Sequence, residues 1–312
     1  MRNFLPLILF FLPFSLIAGE ENVMLSVSAG NIYGTLLLPE TELPAPVVLL
    51  IAGSGPTDRN GNSAIAGQNN SLKFIAEGLA QEGIATLRFD KRFIGESRIT
   101  GITEADLRFD DYIDDVKLWI DLLAKDTRFS SITIAGHSEG SLIGMIAAEN
   151  NPQVQSYISI AGSALPADEI LLEQMEKQPP MVKDAVAPIL EELKQGKTVS
   201  DVPQMLFALF RPSVQPYMIS WIKYHPQTEL KKLTIPVLIL QGTTDIQIEV
   251  HHADLLAQAN PQAQKVIIEG MNHVLKPCES TELMIQLPTY SNPDLPLANE
   301  IIPSIVRFIK SL

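Results

Sequence analysis

The sequence predicts an α/β protein with a mostly parallel central sheet, helices on both faces of that sheet, and a helical insertion. Three observations lead to this fold class. Apolar segments of strand length alternate with segments of helical spacing through most of the chain. The segment at 46–52 is apolar throughout, as expected of a strand that is buried on both faces. Residues from about 164 to 232 show helical spacing without intervening strands.

The individual elements follow in chain order. Segments 23–27 and 32–38 flank a glycine-containing turn and predict an opening hairpin. The other strands of the first half are predicted at 46–52, 84–89, 132–135 and 157–161, and the helices start at residues 71, 107 and 138. Because strands and helices alternate here, we expect parallel strands joined by helical crossovers.

The second half begins with the insertion, in which helical segments are predicted at 170–177, 182–194 and 205–224, the last broken by Arg211 and Pro212. Alternation then resumes with strands 235–240 and 265–268 and helices 250–258 and 299–309. Strands on both sides of the insertion would complete one sheet, so we predict a single domain over 20–312 with a helical lid at about 164–232. The alternative is that the inserted helices pack away from the functional site.

The N-terminus predicts an exported protein. Arg2 precedes an apolar run from 4 to 17, and small residues at Ala18 and Gly19 come before the first acids. This pattern is typical of a secretory signal peptide, here residues 1–19, and implies a periplasmic or secreted location. The run is short for a membrane span, but an uncleaved anchor is the alternative.

Composition and charge narrow the possible partners. A net charge of −13 disfavours nucleic acid and anionic membrane surfaces, and we expect no membrane association after signal cleavage. Cys278 is the single cysteine, so no intramolecular disulfide can form. No group of histidines and acids has metal-ligand spacing, and we predict neither a metal nor a cofactor. The sequence leaves the oligomeric state open.

A sequence Gly-His-Ser-Glu-Gly at 136–140 lies between a predicted strand and a predicted helix. This context is that of the nucleophile elbow, in which a sharp turn lifts a serine hydroxyl above the sheet. Side chains at Gly136 or Gly140 would collide with the neighbouring strand and helix. We therefore predict Ser138 as a nucleophile, with the helix N-terminus favouring a developing anion beside it.

A serine nucleophile needs a base, and the chain has five histidines. His273 follows the last predicted strand, at the sheet edge where the sites of such proteins lie, and the other four are poorly placed. Asp245 follows the preceding strand, and the order Ser138, Asp245, His273 is the one expected for a catalytic triad on this kind of sheet. Asp254 and Glu269 rank lower as the third member.

An oxyanion hole should complete the site. We assign its donors to the backbone N–H groups of Glu139 and of Ser54, in the loop after the strand at 46–52. The flanking glycines, Gly53 and Gly55, let this loop approach an intermediate closely, so we predict both as substrate-binding residues, and Gly55 N–H is the alternative donor. In the insertion, the apolar side chains of Met205 and Phe207 suggest an acyl-binding wall, although packing against the main domain is the commoner role of such residues.

These motifs resemble those of the α/β-hydrolase superfamily, and in particular the bacterial serine hydrolases grouped with serine aminopeptidases, acyl-esterases and dienelactone-hydrolase-like proteins. The resemblance covers nearly the whole chain after residue 19 and rests on residues 51–62, 88–97, 136–140 and 241–245, and on Asn272 and His273. Two positions depart from the group. Phe93 stands directly after Asp-Lys-Arg, at a position where glycine is common in similar members. Ala52, directly before Gly53, stands where many lipases and peptidases have histidine.

The resemblance implies an α/β-hydrolase fold and the hydrolysis of a small acyl ester without a cofactor. The leading hypothesis is an exported carboxylic-ester hydrolase with an acyl-enzyme on Ser138. One alternative is a serine aminopeptidase-like amide hydrolase, and another is an inactive binding protein on a hydrolase scaffold. An intact set of serine, aspartate, histidine and glycines argues against the inactive scaffold, because folding alone does not require it.

Overall fold

A computed structural model describes residues 19–41, 44–65 and 67–312. The strands are β1 (Gly19–Val27), β2 (Gly30–Leu38), β3 (Ala45–Ile51), β4 (Ala85–Phe89), β5 (Arg98–Ile99), β6 (Phe129–His137), β7 (Val154–Ile160), β8 (Val237–Gly242) and β9 (Gln264–Ile268). In the described ranges they form one sheet in the order β1-β2-β4-β3-β6-β7-β8-β9, with the short β5 paired to β2.

The sheet is mostly parallel, as the sequence predicts. From β4 through β3, β6, β7 and β8 to β9, each neighbouring pair is parallel. The opening hairpin of β1 and β2 is antiparallel, and β2 also runs antiparallel to β4. The parallel strands therefore end at the same edge of the sheet, and the loops that follow β3, β6, β8 and β9 can meet there.

The helices are α1 (Ser71–Gln81), α2 (Phe109–Ala124), α3 (Glu139–Ala148), α4 (Ala167–Met175), α5 (Pro180–Lys194), α6 (Phe207–Phe210), α7 (Gln215–Ile222), α8 (Pro226–Lys232), α9 (Val250–Ala259), α10 (Leu283–Tyr290) and α11 (Ile301–Lys310). They cover both faces of the sheet. On β3, Val47 and Leu49 join the cluster formed with α2, α3 and α9, whereas Val48 and Leu50 join the cluster formed with α1 and α11. The two-residue period of the strand thus explains why its whole apolar run is buried.

Helices α4 to α8 lie between β7 and β8, where the sequence predicts a helical insertion. The predicted break of the segment 205–224 at Arg211 and Pro212 is confirmed, because α6 ends at Phe210 and α7 begins at Gln215. Helix α10 was not predicted, since its apolar residues lack helical spacing and Pro288 lies inside it. Except for Gly19, the predicted signal peptide falls outside the described residues. No helix in the described ranges combines the length and hydropathy needed to cross a membrane.

Lys276 is an unusual member of the interior, because its side chain is fully buried. Its ammonium donates a hydrogen bond to the carbonyl oxygen of Leu295 and lies 4.3 Å from the centre of the Phe74 ring. Burial lowers the pKa of this ammonium from 10.5 to about 8. The unfolded chain therefore binds the Lys276 proton more tightly than the folded chain, so stability is expected to rise as the pH increases from about 8 to 10.5.

We expect Lys276→Met to remove this pH dependence. Between about pH 8 and pH 10.5, the free energy of unfolding of the parent protein should rise relative to that of the variant by roughly 3 kcal/mol. Urea denaturation at the two pH values measures the difference. Lys125→Met, which removes an exposed lysine at the end of α2, serves as the control. Unfolding free energies of the parent and Lys276→Met that change in parallel would contradict the expectation.

Candidate active site

Ser138 occupies a sharp turn between β6 and α3. Its backbone has a φ of 53° and a ψ of −121°, which is a strained conformation for a residue with a side chain. A Cβ atom on Gly136 would lie 2.1 Å from the carbonyl oxygen of Gly140, and one on Gly140 would lie 2.5 Å from that of Ile51. The turn therefore requires both glycines, and the steric argument made from the sequence is confirmed.

Asp245 and His273 form a buried pair after strands β8 and β9. Their side chains are joined by a 2.8 Å hydrogen bond between Nδ1 of His273 and Oδ2 of Asp245. The other carboxylate oxygen of Asp245 accepts the backbone N–H groups of Gln247 and Ile248 at 2.8 and 2.9 Å. Burial alone would raise the pKa of the Asp245 carboxyl, but attraction to His273 and these hydrogen bonds hold that pKa below its usual value. Asp245 is thus a fixed anion that orients the imidazole.

The His273 loop is attached directly to the turn that holds Ser138. Nε2 of His137 lies 2.8 Å from the carbonyl oxygen of His273, and the centres of the two rings are 4.9 Å apart. Burial and the neighbouring His273 ring lower the pKa of His137 to about 3. His137 is therefore neutral, and because a carbonyl can only accept, its proton must be on Nε2.

Within the described part of the chain, the hydroxyl of Ser138 has no hydrogen-bond partner. The structure thus brings Asp245 and His273 together and places the His273 loop beside Ser138, but the serine–histidine contact of a triad is not formed. Such contacts are often long in the absence of substrate and tighten when substrate binds. The triad of Ser138, His273 and Asp245 stays a prediction.

The loop after β3 passes directly over the nucleophile turn. A Cβ atom on Gly53 would lie 3.1 Å from Cβ of Ser138, so only glycine allows this approach without displacement. Among the described residues, no hydrogen bond uses the backbone N–H of Ser54 or of Glu139, the first residue of α3. Both N–H groups are therefore free to donate to a ligand, and their assignment to an oxyanion hole stays a prediction.

A cavity of about 600 Å³ opens beside Ser138. Ser54, Gly55 and Glu139 line it together with Ser138, and the insertion forms much of the remaining wall. The aromatic and aliphatic lining includes Tyr112, Leu142, Leu171, Tyr217, Met218 and Trp221. A largely apolar cavity that ends at a candidate nucleophile is the arrangement expected of a substrate site.

Three of the four predicted substrate-binding residues do not line this cavity, whereas Gly55 does. Met205 and Phe207 are absent from its lining, and 50% and 42% of their surfaces are exposed. The insertion instead contributes Leu209 and, from α7, Tyr217. Apolarity identified the right segment, but the direction of each side chain depends on how the short helices pack. Gly53 also lies outside the lining, although its contact with Ser138 keeps it next to the site.

Two features of the site were not predicted as functional. Lys91 is buried and forms an ion pair with Glu139, with 2.8 Å between Nζ and Oε2. Phe93 has a φ of 67° and lines the cavity. This left-handed backbone is a conformation that glycine adopts without strain and that is unusual for a residue with a side chain. Lys91 belongs to the Asp-Lys-Arg segment and Phe93 follows it directly. This segment contributes to the family resemblance, but the sequence alone does not indicate a functional role for either residue.

One cluster in the described ranges, Glu173 with His251 and His252, could be considered for a metal ion. However, Nδ1 of His252 accepts the backbone N–H of Ala164 at 3.1 Å, so the proton of the neutral ring is on Nε2. That nitrogen lies 3.0 Å from Glu173 Oε1, to which it donates. A metal-binding histidine normally donates its other N–H to an acceptor, so this hydrogen-bond pattern does not fit a metal site.

Comparisons with known proteins agree with this architecture. A family model described as serine aminopeptidase S33 matches residues 67–220, a range that includes Ser138 but not Asp245 or His273. The sequence is 26% identical over 292 residues to esterase EstD of Thermotoga maritima, which covers 90% of this chain and 67% of EstD.

Solved structures are similar over almost the whole chain. Est1E from Butyrivibrio proteoclasticus, in a structure with bound ferulic acid, gives a TM-score of 0.60 at 18% identity and covers 92% of this chain and 99% of its own. Proline iminopeptidase of Mycobacterium smegmatis gives 0.59 at 15% identity, with coverage of 93% and 98%. The sheet and these likenesses confirm the α/β-hydrolase fold that the sequence predicts.

Proposed function

Because the chain has the α/β-hydrolase fold and resembles esterases of that superfamily, we propose that it is an exported serine hydrolase that cleaves carboxylic esters through an acyl-enzyme on Ser138. One observation carries the proposal. Ser138 stands on a strained turn at the wall of an apolar cavity, and His273, which is paired with the buried Asp245, accepts a hydrogen bond from His137 of the same turn through its carbonyl oxygen.

The proposed reaction assigns one step to each group. The Ser138 hydroxyl attacks the acyl carbon while Nε2 of His273 takes its proton, and Asp245 stabilises the imidazolium through Nδ1–H. The N–H groups of Ser54 and Glu139 hold the negative oxygen of the tetrahedral intermediate. The ester C–O bond then breaks, and the alcohol leaves with the proton from His273. Water then attacks the acyl carbon while His273 takes its proton, the bond between that carbon and Ser138 Oγ breaks, and His273 returns the proton to Oγ as the acid leaves.

The charges around the cavity favour neutral acyl groups. Among the described lining residues, carboxylates come only from Glu104 and Glu139. Glu104 is bound by Arg211, and Glu139 is bound by Lys91, so neither is free to attract a cation. A substrate with a free ammonium group would therefore find no unpaired carboxylate beside Ser138.

A serine aminopeptidase is the second candidate, because the family model that matches residues 67–220 carries that description. Such an enzyme must recognise the free amino terminus of its substrate. Both carboxylates that line the cavity are already paired with basic residues, which argues against recognition of a free amine. We therefore rank ester hydrolysis above aminopeptidase activity.

We expect kcat/KM for p-nitrophenyl butyrate to exceed that for alanine p-nitroanilide by at least about 100-fold, since the acyl cavity is apolar and offers no free carboxylate. Release of nitrophenol or nitroaniline measures both reactions. N-acetylalanine p-nitroanilide is the matched control, because an aminopeptidase needs the free amine and should cleave only the unacetylated anilide. Faster cleavage of that anilide than of the ester would overturn the ester-hydrolase proposal in favour of the aminopeptidase.

Export is the part of the proposal that rests on sequence alone. Arg2, the apolar run at 4–17 and the small residues Ala18 and Gly19 support a cleaved signal peptide. N-terminal sequencing of protein recovered outside the cytoplasm checks this, and we expect the mature chain to begin near residue 19 or 20. A mature chain that retains Arg2 would contradict cleavage.

A further inference from the structure

Lys91 is a buried lysine in the loop after β4, with 2% of its side-chain surface exposed. Its ammonium donates to the carbonyl oxygen of Gly53 at 2.7 Å and to Oε2 of Glu139 at 2.8 Å. The two acceptors belong to the two segments that supply the proposed oxyanion donors. Lys91 therefore connects both halves of the oxyanion hole through a single charged group.

The contact with Gly53 fixes the direction of the Ser54 N–H. In a trans peptide, the carbonyl oxygen of one residue and the N–H of the next lie in one plane and point in opposite directions. Because Lys91 holds the Gly53 carbonyl, it also sets the orientation of the attached Ser54 N–H. This N–H has no hydrogen bond in the described chain, so no other hydrogen bond to it restrains that peptide plane.

The contact with Glu139 has an electrostatic role as well. Glu139 would donate its backbone N–H to the developing oxyanion, yet its own side chain is a buried carboxylate. An uncompensated carboxylate here would repel the negative oxygen in a region of low dielectric. The Lys91 ammonium neutralises it at 2.8 Å and thereby leaves the N–H dipole to act on the intermediate.

The same carboxylate also reaches the insertion. Its other oxygen accepts the hydroxyl of Tyr217 at 2.6 Å, and Tyr217 lies on α7 and lines the cavity. Burial and the Glu139 carboxylate raise the pKa of Tyr217 well above its usual value, so the hydroxyl keeps the proton that it donates. A chain of three hydrogen-bonded side chains thus extends from the Gly53 carbonyl to the cavity wall.

We propose that Lys91 is a positioning residue that aligns the two oxyanion donors and, through Glu139 and Tyr217, couples them to the helical insertion. The inference rests on the proposed serine-hydrolase function. It predicts that Lys91 stabilises the tetrahedral transition state and has little effect on ground-state binding of the ester.

Lys91→Met keeps most of the length of the unbranched side chain and removes its charge. For p-nitrophenyl butyrate we expect kcat to fall about 30-fold to 300-fold, with KM changed by less than about threefold, because loss of one oxyanion donor costs a similar factor in kcat. The inhibition constant of a boronic acid, which forms a tetrahedral anion on the serine, should rise by a similar factor. A purely structural role would lower the fraction of folded enzyme and leave the inhibition constant unchanged.

Lys265→Met is the control, since Lys265 is also a lysine paired with a carboxylate, that of Asp254, but neither residue lines the cavity. Its kcat should stay within about threefold of the parent value. A folded Lys91→Met enzyme with parental kcat and boronic-acid affinity would overturn the proposal.

Tyr217→Phe independently tests whether the oxyanion donors are coupled to the insertion through Glu139. It also keeps the proposal testable if Lys91→Met does not fold. Loss of the hydroxyl should lower kcat about threefold to tenfold at unchanged KM, because one neutral donor to Glu139 is removed while ring packing is kept. An unchanged kcat, or a change confined to KM, would contradict the coupling. Each expected change in kcat is measured relative to the parent enzyme. A parent protein without esterase activity would therefore contradict the proposed function and would not test the role of Lys91.

Discussion

Replacing Ser138 by alanine is expected to lower kcat for ester hydrolysis by at least about 10⁴-fold and to abolish labelling by a fluorophosphonate. The reason is that both reactions need an oxygen nucleophile at the one position where the turn, the free N–H donors and the cavity meet. Rates measured with p-nitrophenyl butyrate and intact-protein mass spectrometry check the two expectations. A small residual rate is expected, because the oxyanion donors and the cavity still act on attack by water.

Ser141→Ala is the matched control for this experiment. Ser141 lies one turn further along α3, but its hydroxyl is buried and bonded to Tyr157 and Ser159, away from the cavity. It should keep full labelling and a kcat close to that of the parent. If the Ser138→Ala protein were labelled as well as the parent, the assignment of the nucleophile would be wrong.

Asp245→Asn is expected to lower kcat by about 10³-fold to 10⁴-fold with KM nearly unchanged. One carboxylate oxygen of Asp245 accepts two backbone N–H groups, so the asparagine oxygen should keep that place and turn its NH₂ group towards His273. Nδ1 would then accept a hydrogen bond, and the ring proton would move to Nε2. An imidazole with its proton on Nε2 cannot accept the proton of Ser138.

Asp254→Asn is the control, because Asp254 is the other aspartate considered from the sequence for the third member. In the structure its side chain is partly exposed on α9 and pairs with Lys265, and among the described residues it makes no hydrogen bond with His273. We expect it to retain parental kcat. If instead Asp254→Asn lost most of its kcat and Asp245→Asn kept more than about a tenth of the parental kcat, the acid of the triad would have to be reassigned.

Prediction from sequence succeeded for residues whose positions are fixed by local sterics or by the order of the strands along the chain. The glycines at 136 and 140 indicated the turn, because only residues without Cβ tolerate contacts of 2.1 and 2.5 Å. Asp245 was placed by its position after a strand, and the structure confirms that it meets His273, although 28 residues separate them. Parallel strands bring such loops to one edge whatever the intervening sequence, and this is why the pairing was predictable.

Prediction failed where a side chain's direction or partner depends on packing. Met205 and Phe207 have the right chemistry for an acyl wall, but the short helices of the insertion leave them partly exposed and direct Tyr217 and Trp221 into the cavity. Hydrophobic spacing in helices of four to eight residues is too short to define a buried face.

The sequence by itself determined the class of fold, the position of the strained serine and the Asp245–His273 pair, because local sterics and strand order decide all three. Only the tertiary structure decided which residues line the cavity and that Lys91 joins Gly53, Glu139 and Tyr217. The partners of Glu139 lie 48 and 78 positions away along the chain. Burying a charge requires an opposite charge nearby, but which distant residue supplies it is fixed by how helices and loops pack over the sheet.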